Sequence, residues 1–349
     1  MDFSKIDKNF EVDENIKREG LKFYNIKEDP FLVHGIYHDG KNYRRIPNEL
    51  AEKMTSSSVS WLSKCTAGGR VRFVTDSPYV IIRAEMSVTA MPHMPETGVS
   101  GFDMYERVEG KEYYLKTFTP AKTHDGYYYG IYDFNTEGEH TLTINFPLYN
   151  TVNELYVGLK EDSVLLPAPD YSVNKPIVYY GSSITQGGCA SRPGTSYQAI
   201  VSRKFDCDYI NLGFSGSALG EECVAEYIAK LDMSVFVLDY DCNASTPEHL
   251  LKTHKPFFDV IRKANPTLPI VIMPCHPAAK THGADFERVI IDTYDSAVKA
   301  GDKNVYYIPK QELMPIDFPS ECTVDGLHPT DLGFYFMANA VINELKKIF

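Results

Sequence analysis

From residue 177 onward the chain repeats a two-part pattern: a short run of β-branched and aromatic residues, then a longer stretch with helical spacing. The runs are IVYYG (177–181), DYINLGF (208–214), VFVLDYD (235–241), PIVIMPC (269–275) and VYYIP (305–309). Helices are expected near 196–204, 221–231, 248–264, 285–300 and 332–348. A strand that is apolar along its whole length is buried on both faces, and strands joined through helices run parallel. The pattern therefore predicts an α/β fold, with a flavodoxin-like five-stranded parallel sheet and helices on both faces. In such open sheets ligands sit beyond the carboxyl ends of the strands. The residues just past each run are the first place to look for chemistry.

The N-terminal half follows a different pattern. YVIIRAEM (79–86), YYLKTFT (113–119), YYYGIYDF (127–134), HTLTINF (140–146) and ELYVGLK (154–160) read as strands separated by turn residues, with no long helical pattern between them. This predicts an antiparallel sandwich or jelly roll. MPHMPETGVSGFDMYER (91–107) reads as a long loop and a strand, with Met91, His93 and Met94 assigned to the sandwich core or to an exposed tip, and a position leaning over the cleft as the alternative. A proline-rich segment follows. The expected division is a β domain over 1–165, a linker over 166–176 and an α/β domain over 177–349.

Composition narrows the class. The chain has 349 residues, 43% hydrophobic and 23% charged, which suffices for two packed domains. A net charge of −12 opposes a nucleic-acid partner, which usually meets a basic face, and an anionic membrane surface. No apolar window is long enough to span a bilayer, and the polar start MDFSKIDKNF has no apolar signal core. Seven cysteines without a CxxC pair predict reduced thiols rather than a disulfide framework, and so a cytoplasmic location. Cys189 and Cys275 are expected to be small buried thiols. No metal site and no cofactor are expected: His249 and His254 are poorly spaced for shared ligation, His282 is assigned to a surface loop, and Asp239 and Asp241 alternate on one face of a strand.

The strand exits carry the reactive residue types. The first run stops at Gly181 and is followed by Ser182 and Ser183. Two serines there either cap the next helix or present a hydroxyl at the mouth of the site. Gly216 lies past the second run in NLGFSGSA, and Asn243 past the third in LDYDCNAS. DGLHP (325–329) precedes the last helix. Its Asp-x-x-His spacing lets Asp325 reach the Nδ1 of His328 and leaves Nε2 for a serine.

These four blocks, in this order, resemble the SGNH (GDSL-like) hydrolase superfamily over roughly residues 175–349. The resemblance implies Ser183 as nucleophile, His328 as general base and Asp325 as the residue that orients it. It implies an oxyanion hole made of the Ser183 and Gly216 backbone N–H groups and the Asn243 side-chain amide. Two departures stand out: Ser182 replaces the usual Asp, and Asp241-Cys242-Asn243 replaces a Gly-containing tripeptide.

A β domain ahead of an SGNH domain is similar to the two-domain arrangement of carbohydrate esterase family 2. That arrangement implies removal of O-acetyl groups from sugars or oligosaccharides such as xylan or mannan fragments. A short-chain lipid or aryl esterase, a thioesterase, and a sugar-binding protein with a disabled hydrolase domain are the competing readings. Two further residues are candidates for substrate contact. Arg192 follows the proposed nucleophile by nine residues in a Gly/Pro-rich loop, where tying that loop to the β domain is the alternative. His276 follows the fourth run, where a plain loop position is the alternative. A homodimer formed through the β domain is compatible with all of this.

Overall fold

The structure is a computed structural model that describes residues 16–119, 126–315, 317 and 319–349. The start of the chain, where the absent signal core was read, lies outside the described residues. In the N-terminal half the strands are Leu21–Asn25 (β1), Leu32–His34 (β2), Tyr37–His38 (β3), Tyr43–Arg44 (β4), Arg70–Thr75 (β5) and Tyr79–Met86 (β6). They continue with Phe102–Val108 (β7), Lys111–Phe118 (β8), Tyr128–Asp133 (β9), His140–Asn145 (β10), Val152–Lys160 (β11) and Leu165–Leu166 (β12). Among the described residues they form two larger antiparallel sheets, ordered β1-β11-β6-β9 and β12-β5-β10-β7-β8, with β2 also on β5, and a two-stranded pair, β3-β4. Alternation decides which side chains meet between them. Val71 and Phe73 of β5, Val80 and Ile82 of β6, Leu142 and Ile144 of β10, and Leu155 and Val157 of β11 form one buried cluster.

The other face of β5 carries Arg70 and Arg72, and both are buried. Their guanidinium groups lie 3.9 Å over the rings of Tyr209 and Tyr171 respectively. Arg70 also pairs with Asp208. This face therefore packs on the C-terminal half instead of meeting solvent. Tyr171 lies within the expected linker, yet it is buried there. The next strand, Val173–Gly181 (β13), begins four residues before the apolar run that announced it.

The C-terminal sheet adds Cys207–Gly213 (β14), Val235–Asp239 (β15), Ile270–Ile272 (β16) and Val305–Tyr307 (β17). Its order is β14-β13-β15-β16-β17 and all pairs are parallel. The chain reverses its direction of winding between β13 and β15, the switch point where such sheets bind ligands. Successive residues of β13 point into opposite layers. Ile177 and Tyr179 pack with residues of helices Tyr197–Phe205 and Asp331–Leu345. Val178 and Tyr180 pack with residues of Glu222–Ile228, Pro247–Ala264 and Ala284–Lys299. This two-sided burial is what the unbroken apolar runs required. No described helix is long and apolar enough to cross a membrane.

Candidate active site

The site is assembled where β13 ends. A Cβ on Gly181 would collide with the carbonyl of Asp239 and the hydroxyl of Thr185, so only glycine lets β13 leave the sheet here. Ser182 then caps the short helix Ser183–Gln186, its Oγ accepting the Ile184 N–H at 3.2 Å. The two serines have divided the two readings between them. Ser182 is the cap, and Ser183, in the first helical position, points its Oγ at Nε2 of His328, 3.0 Å away.

His328 is held from the far side of its ring. Nδ1 lies 2.7 Å from Oδ2 of Asp325, while Oδ1 of that carboxylate accepts the backbone N–H groups of Leu327 at 3.0 Å and His328 at 2.8 Å. Partial burial would raise the Asp325 pKa, but the donors from His328 and Leu327 outweigh it and hold the carboxyl down to about 2. Three residues therefore stand in line: carboxylate, imidazole, hydroxyl.

The predicted oxyanion residues converge on the same end of the sheet. Gly216 adopts φ +62°, and nothing lies within 4 Å of where its side chain would be. Its turn is closed by Ser217 N–H to the Phe214 carbonyl at 2.9 Å, and the Ser215 N–H donates to Oε1 of Gln186 at 3.1 Å. Asn243 ends a 3-10 turn, Asp241–Asn243, and its Nδ2 donates to the same Phe214 carbonyl at 3.0 Å. An amide carries two N–H donors, so this bond fixes the side chain and leaves one over. The unusual Asp-Cys-Asn tripeptide has its own anchor: Oδ2 of Asp241 accepts the Cys275 N–H at 2.8 Å. Asp241 is fully buried, which pushes its carboxyl up to about 7. Asp239 is also pushed up by burial and then by Asp241, and it accepts the hydroxyls of Thr185 and Tyr197, each at 2.9 Å.

Two expectations need correction, for the Cys242–Cys275 pair and for His282, and His276 and Arg192 follow the second of the two readings open to each. Cys242 and Cys275 form a disulfide with Cα atoms 5.3 Å apart, so the reduced-thiol reading fails for this pair, while Cys65, Cys189, Cys207, Cys223 and Cys322 are free. The residues are 33 apart and meet only because β15 and β16 are neighbours. His282 is buried, not on the surface. His276 offers no face to substrate: it is 1% exposed, with Nε2 2.6 Å from the Leu327 carbonyl. Burial holds its pKa down to about 4, so the ring is a neutral donor that grips the loop carrying His328. Arg192 is likewise engaged elsewhere. It donates to Oδ2 of Asp103 at 3.2 Å and to the Tyr105 hydroxyl, and lies 4.2 Å over the Tyr114 ring, which ties its loop to β7 and β8.

Sequence reasoning missed what the N-terminal half contributes. The Tyr149 hydroxyl donates to the Ser183 carbonyl at 3.1 Å, and Nε2 of Gln186 donates to the Leu148 carbonyl at 3.1 Å. His93 follows the alternative of leaning over the cleft: its ring centroid is 5.4 Å from that of His328. Among the described residues, His93, Cys189 and His328 form a group able to hold a metal ion, with ligand atoms within 4.8 Å of one another. The absence of metal-like spacing could not foretell this, because the three positions come together only in the fold.

Comparison with known proteins follows the same two-part division. Residues 174–346 match the GDSL-like Lipase/Acylhydrolase family, and residues 21–165 match the N-terminal domain of SGNH-hydrolase-type esterases named GxDLY. None of the curated proteins matches. Among solved structures, one described as a GDSL-like lipase from Bacteroides ovatus is 27% identical. It aligns over 94% of this chain and 98% of its own with a TM-score of 0.83. A salicylyl-acyltransferase from a tetracycline biosynthetic pathway is 19% identical, with a TM-score of 0.78 over 95% and 98% of the two chains. A family two carbohydrate esterase from Clostridium thermocellum, solved with cellohexaose, is 15% identical, with a TM-score of 0.63 over 91% and 98%. By both family matches and by its fold, the chain belongs to the GDSL-like (SGNH) hydrolases, ester hydrolases that here carry an N-terminal GxDLY domain.

Proposed function

We propose that the chain is a serine esterase that removes O-acetyl groups from carbohydrates through an acyl-enzyme. The observation that carries the mechanism is the line Asp325–His328–Ser183, with both imidazole nitrogens engaged at 2.7 and 3.0 Å. In this reading His328 takes the Ser183 proton as Oγ attacks the ester carbonyl, and Asp325 stabilises the imidazolium that forms. The carbonyl oxygen becomes negative and is met by the Ser183 and Gly216 N–H groups and the free amide hydrogen of Asn243. His328 then protonates the departing sugar oxygen, which leaves as a hydroxyl; a water deprotonated by the same ring attacks the acyl-enzyme, and acetate leaves as the proton returns to Ser183.

The substrate class rests on the shared two-domain layout. Family two carbohydrate esterases align over both halves of this chain, and one of them was solved with cellohexaose bound. The test is release of 4-nitrophenol from its acetate, butyrate and octanoate esters, beside acetate release from acetylated xylo- and manno-oligosaccharides. Wild type and Ser183→Ala run in parallel. Ser183-dependent deacetylation that falls with acyl length supports the proposal. A preference for octanoate replaces the substrate, and full activity in Ser183→Ala removes the mechanism.

A further inference from the structure

We propose that His93, Cys189 and His328 form an inhibitory site for a soft divalent cation, Zn²⁺ in particular. The inference rests on the catalytic reading of His328 given above. One ligand atom from each residue lies within 4.8 Å of the others. Zn–N and Zn–S bonds of about 2.0–2.3 Å at tetrahedral angles hold ligand atoms about 3.3–3.6 Å apart. Movements of about an ångström therefore close the three around an ion; His93 is exposed on its loop, and its carbonyl already accepts from the Cys189 thiol at 3.4 Å. Two imidazoles and a thiolate select zinc over magnesium, calcium or manganese, which prefer oxygen. Water supplies the remaining position. The Cys189 thiol gives up its proton to solvent as the Zn–S bond forms.

Binding must stop turnover whichever nitrogen of His328 the ion takes. Nε2 is engaged by Ser183 and Nδ1 by Asp325. An ion on the first removes the base from the nucleophile, and an ion on the second separates the ring from its orienting carboxylate. The other two ligands have no part in acyl transfer. The site thus couples the N-terminal half, through His93, to the state of the catalytic histidine.

The test uses the full chain, stripped with EDTA and dialysed free of chelator. ZnCl₂ or MgCl₂ is titrated into the 4-nitrophenyl acetate assay for wild type, His93→Ala and Cys189→Gly. Glycine suits the Cys189 position because φ there is +72°. Both variants should keep the metal-free rate. In each, the Zn²⁺ concentration for half-inhibition should rise at least tenfold, while Mg²⁺ has no effect on any of the three. In parallel, Co²⁺ added to the wild type should give a thiolate-to-cobalt absorption band in the near ultraviolet that Cys189→Gly loses. That band does not depend on turnover, so it reports the site even if the esterase reading fails. Equal Zn²⁺ sensitivity in all three proteins, insensitivity of the wild type, or a cobalt spectrum unchanged by Cys189→Gly overturns the proposal.

Discussion

The phenol of Tyr149, from the N-terminal half, donates to the main-chain carbonyl of Ser183 at 3.1 Å. The same carbonyl accepts the N–H groups of Gly187 at 3.1 Å and Gly188 at 2.8 Å. Removing the phenol oxygen therefore leaves no orphaned acceptor. Tyr149→Phe should cost about 0.5–1.5 kcal/mol of stability, as for one ordinary hydrogen bond, and lower kcat a few-fold with KM little changed. Thermal denaturation and steady-state kinetics on one acetyl ester measure both. An unchanged kcat would mean that the N-terminal half does not position the nucleophile.

Asp325→Asn keeps the size of the side chain but places an amide where a carboxylate accepts from Nδ1. The amide donates to that nitrogen, and the proton moves to Nε2, where it faces Ser183. The expected loss in kcat is on the order of 10⁴-fold, with the fold intact by circular dichroism. Asn243→Ala removes one oxyanion donor and should lower kcat about 10²–10³-fold, more than it raises KM.

The bond from His276 to the Leu327 carbonyl makes it a positioning residue in the proposed mechanism, so its variants should separate geometry from chemistry. His276→Ala frees the Leu327 carbonyl, next to the base, and should lower kcat about 10–100-fold, as a misplaced catalytic group does. His276→Gln retains a donor and should recover part of that loss. Equal rates in both variants would assign the residue to stability alone.

The same histidine shapes the acid limb of stability. Its folded pKa of about 4 lies below the ordinary value of 6.5, so between those values the unfolded chain binds the extra proton. Stability contributed by His276 is complete above about 6.5 and declines as pH falls to 4, by up to about 1.4 kcal/mol per pH unit. Asp241, held up to about 7, acts with the opposite sign: its contribution is lost as pH rises from the ordinary carboxyl range through 7. The measurable quantity is therefore the difference between wild type and His276→Gln, which should grow more favourable to the variant from pH 6.5 down to 4. Urea titrations across that range provide it.

Cys242 and Cys275 close a loop of 33 residues, and their neighbours in sequence are Asn243 and His276. Reducing this bond should cost about 2–4 kcal/mol and, under the proposed mechanism, also lower kcat through Asn243 and His276. Melting curves and rates of Cys242→Ala with and without reductant distinguish the bond from general thiol effects: the variant should be insensitive to reductant where the wild type is not.

The parallel sheet was legible because each of its strands is apolar throughout, and the site was legible because every reactive residue follows a strand or precedes a helix. What escaped notice depends on contacts between halves. β5 reads RVRFVT, which alternates as a half-exposed strand would, but the polar face is covered by Tyr171, Asp208 and Tyr209. The roles of Tyr149, His93 and Cys189 come from loops far apart in sequence, and no spacing rule reaches across 90 residues. Ser182 and Ser183 show the opposite limit. Either hydroxyl could cap a helix, and only the direction of each side chain assigns the work.

Arg45 lies wholly buried and reaches from the N-terminal half to the carbonyls of Asn211 and Gly213, on the outermost strand of the parallel sheet. It also donates to its own side, to Cys65 at 2.8 Å and Leu62 at 2.6 Å. Such an outer strand is a template for pairing with other chains when nothing shields it. The β domain therefore shields part of this edge, at the two carbonyls that Arg45 holds. A C-terminal half produced alone would expose this rim, and it is expected to self-associate where the full chain does not.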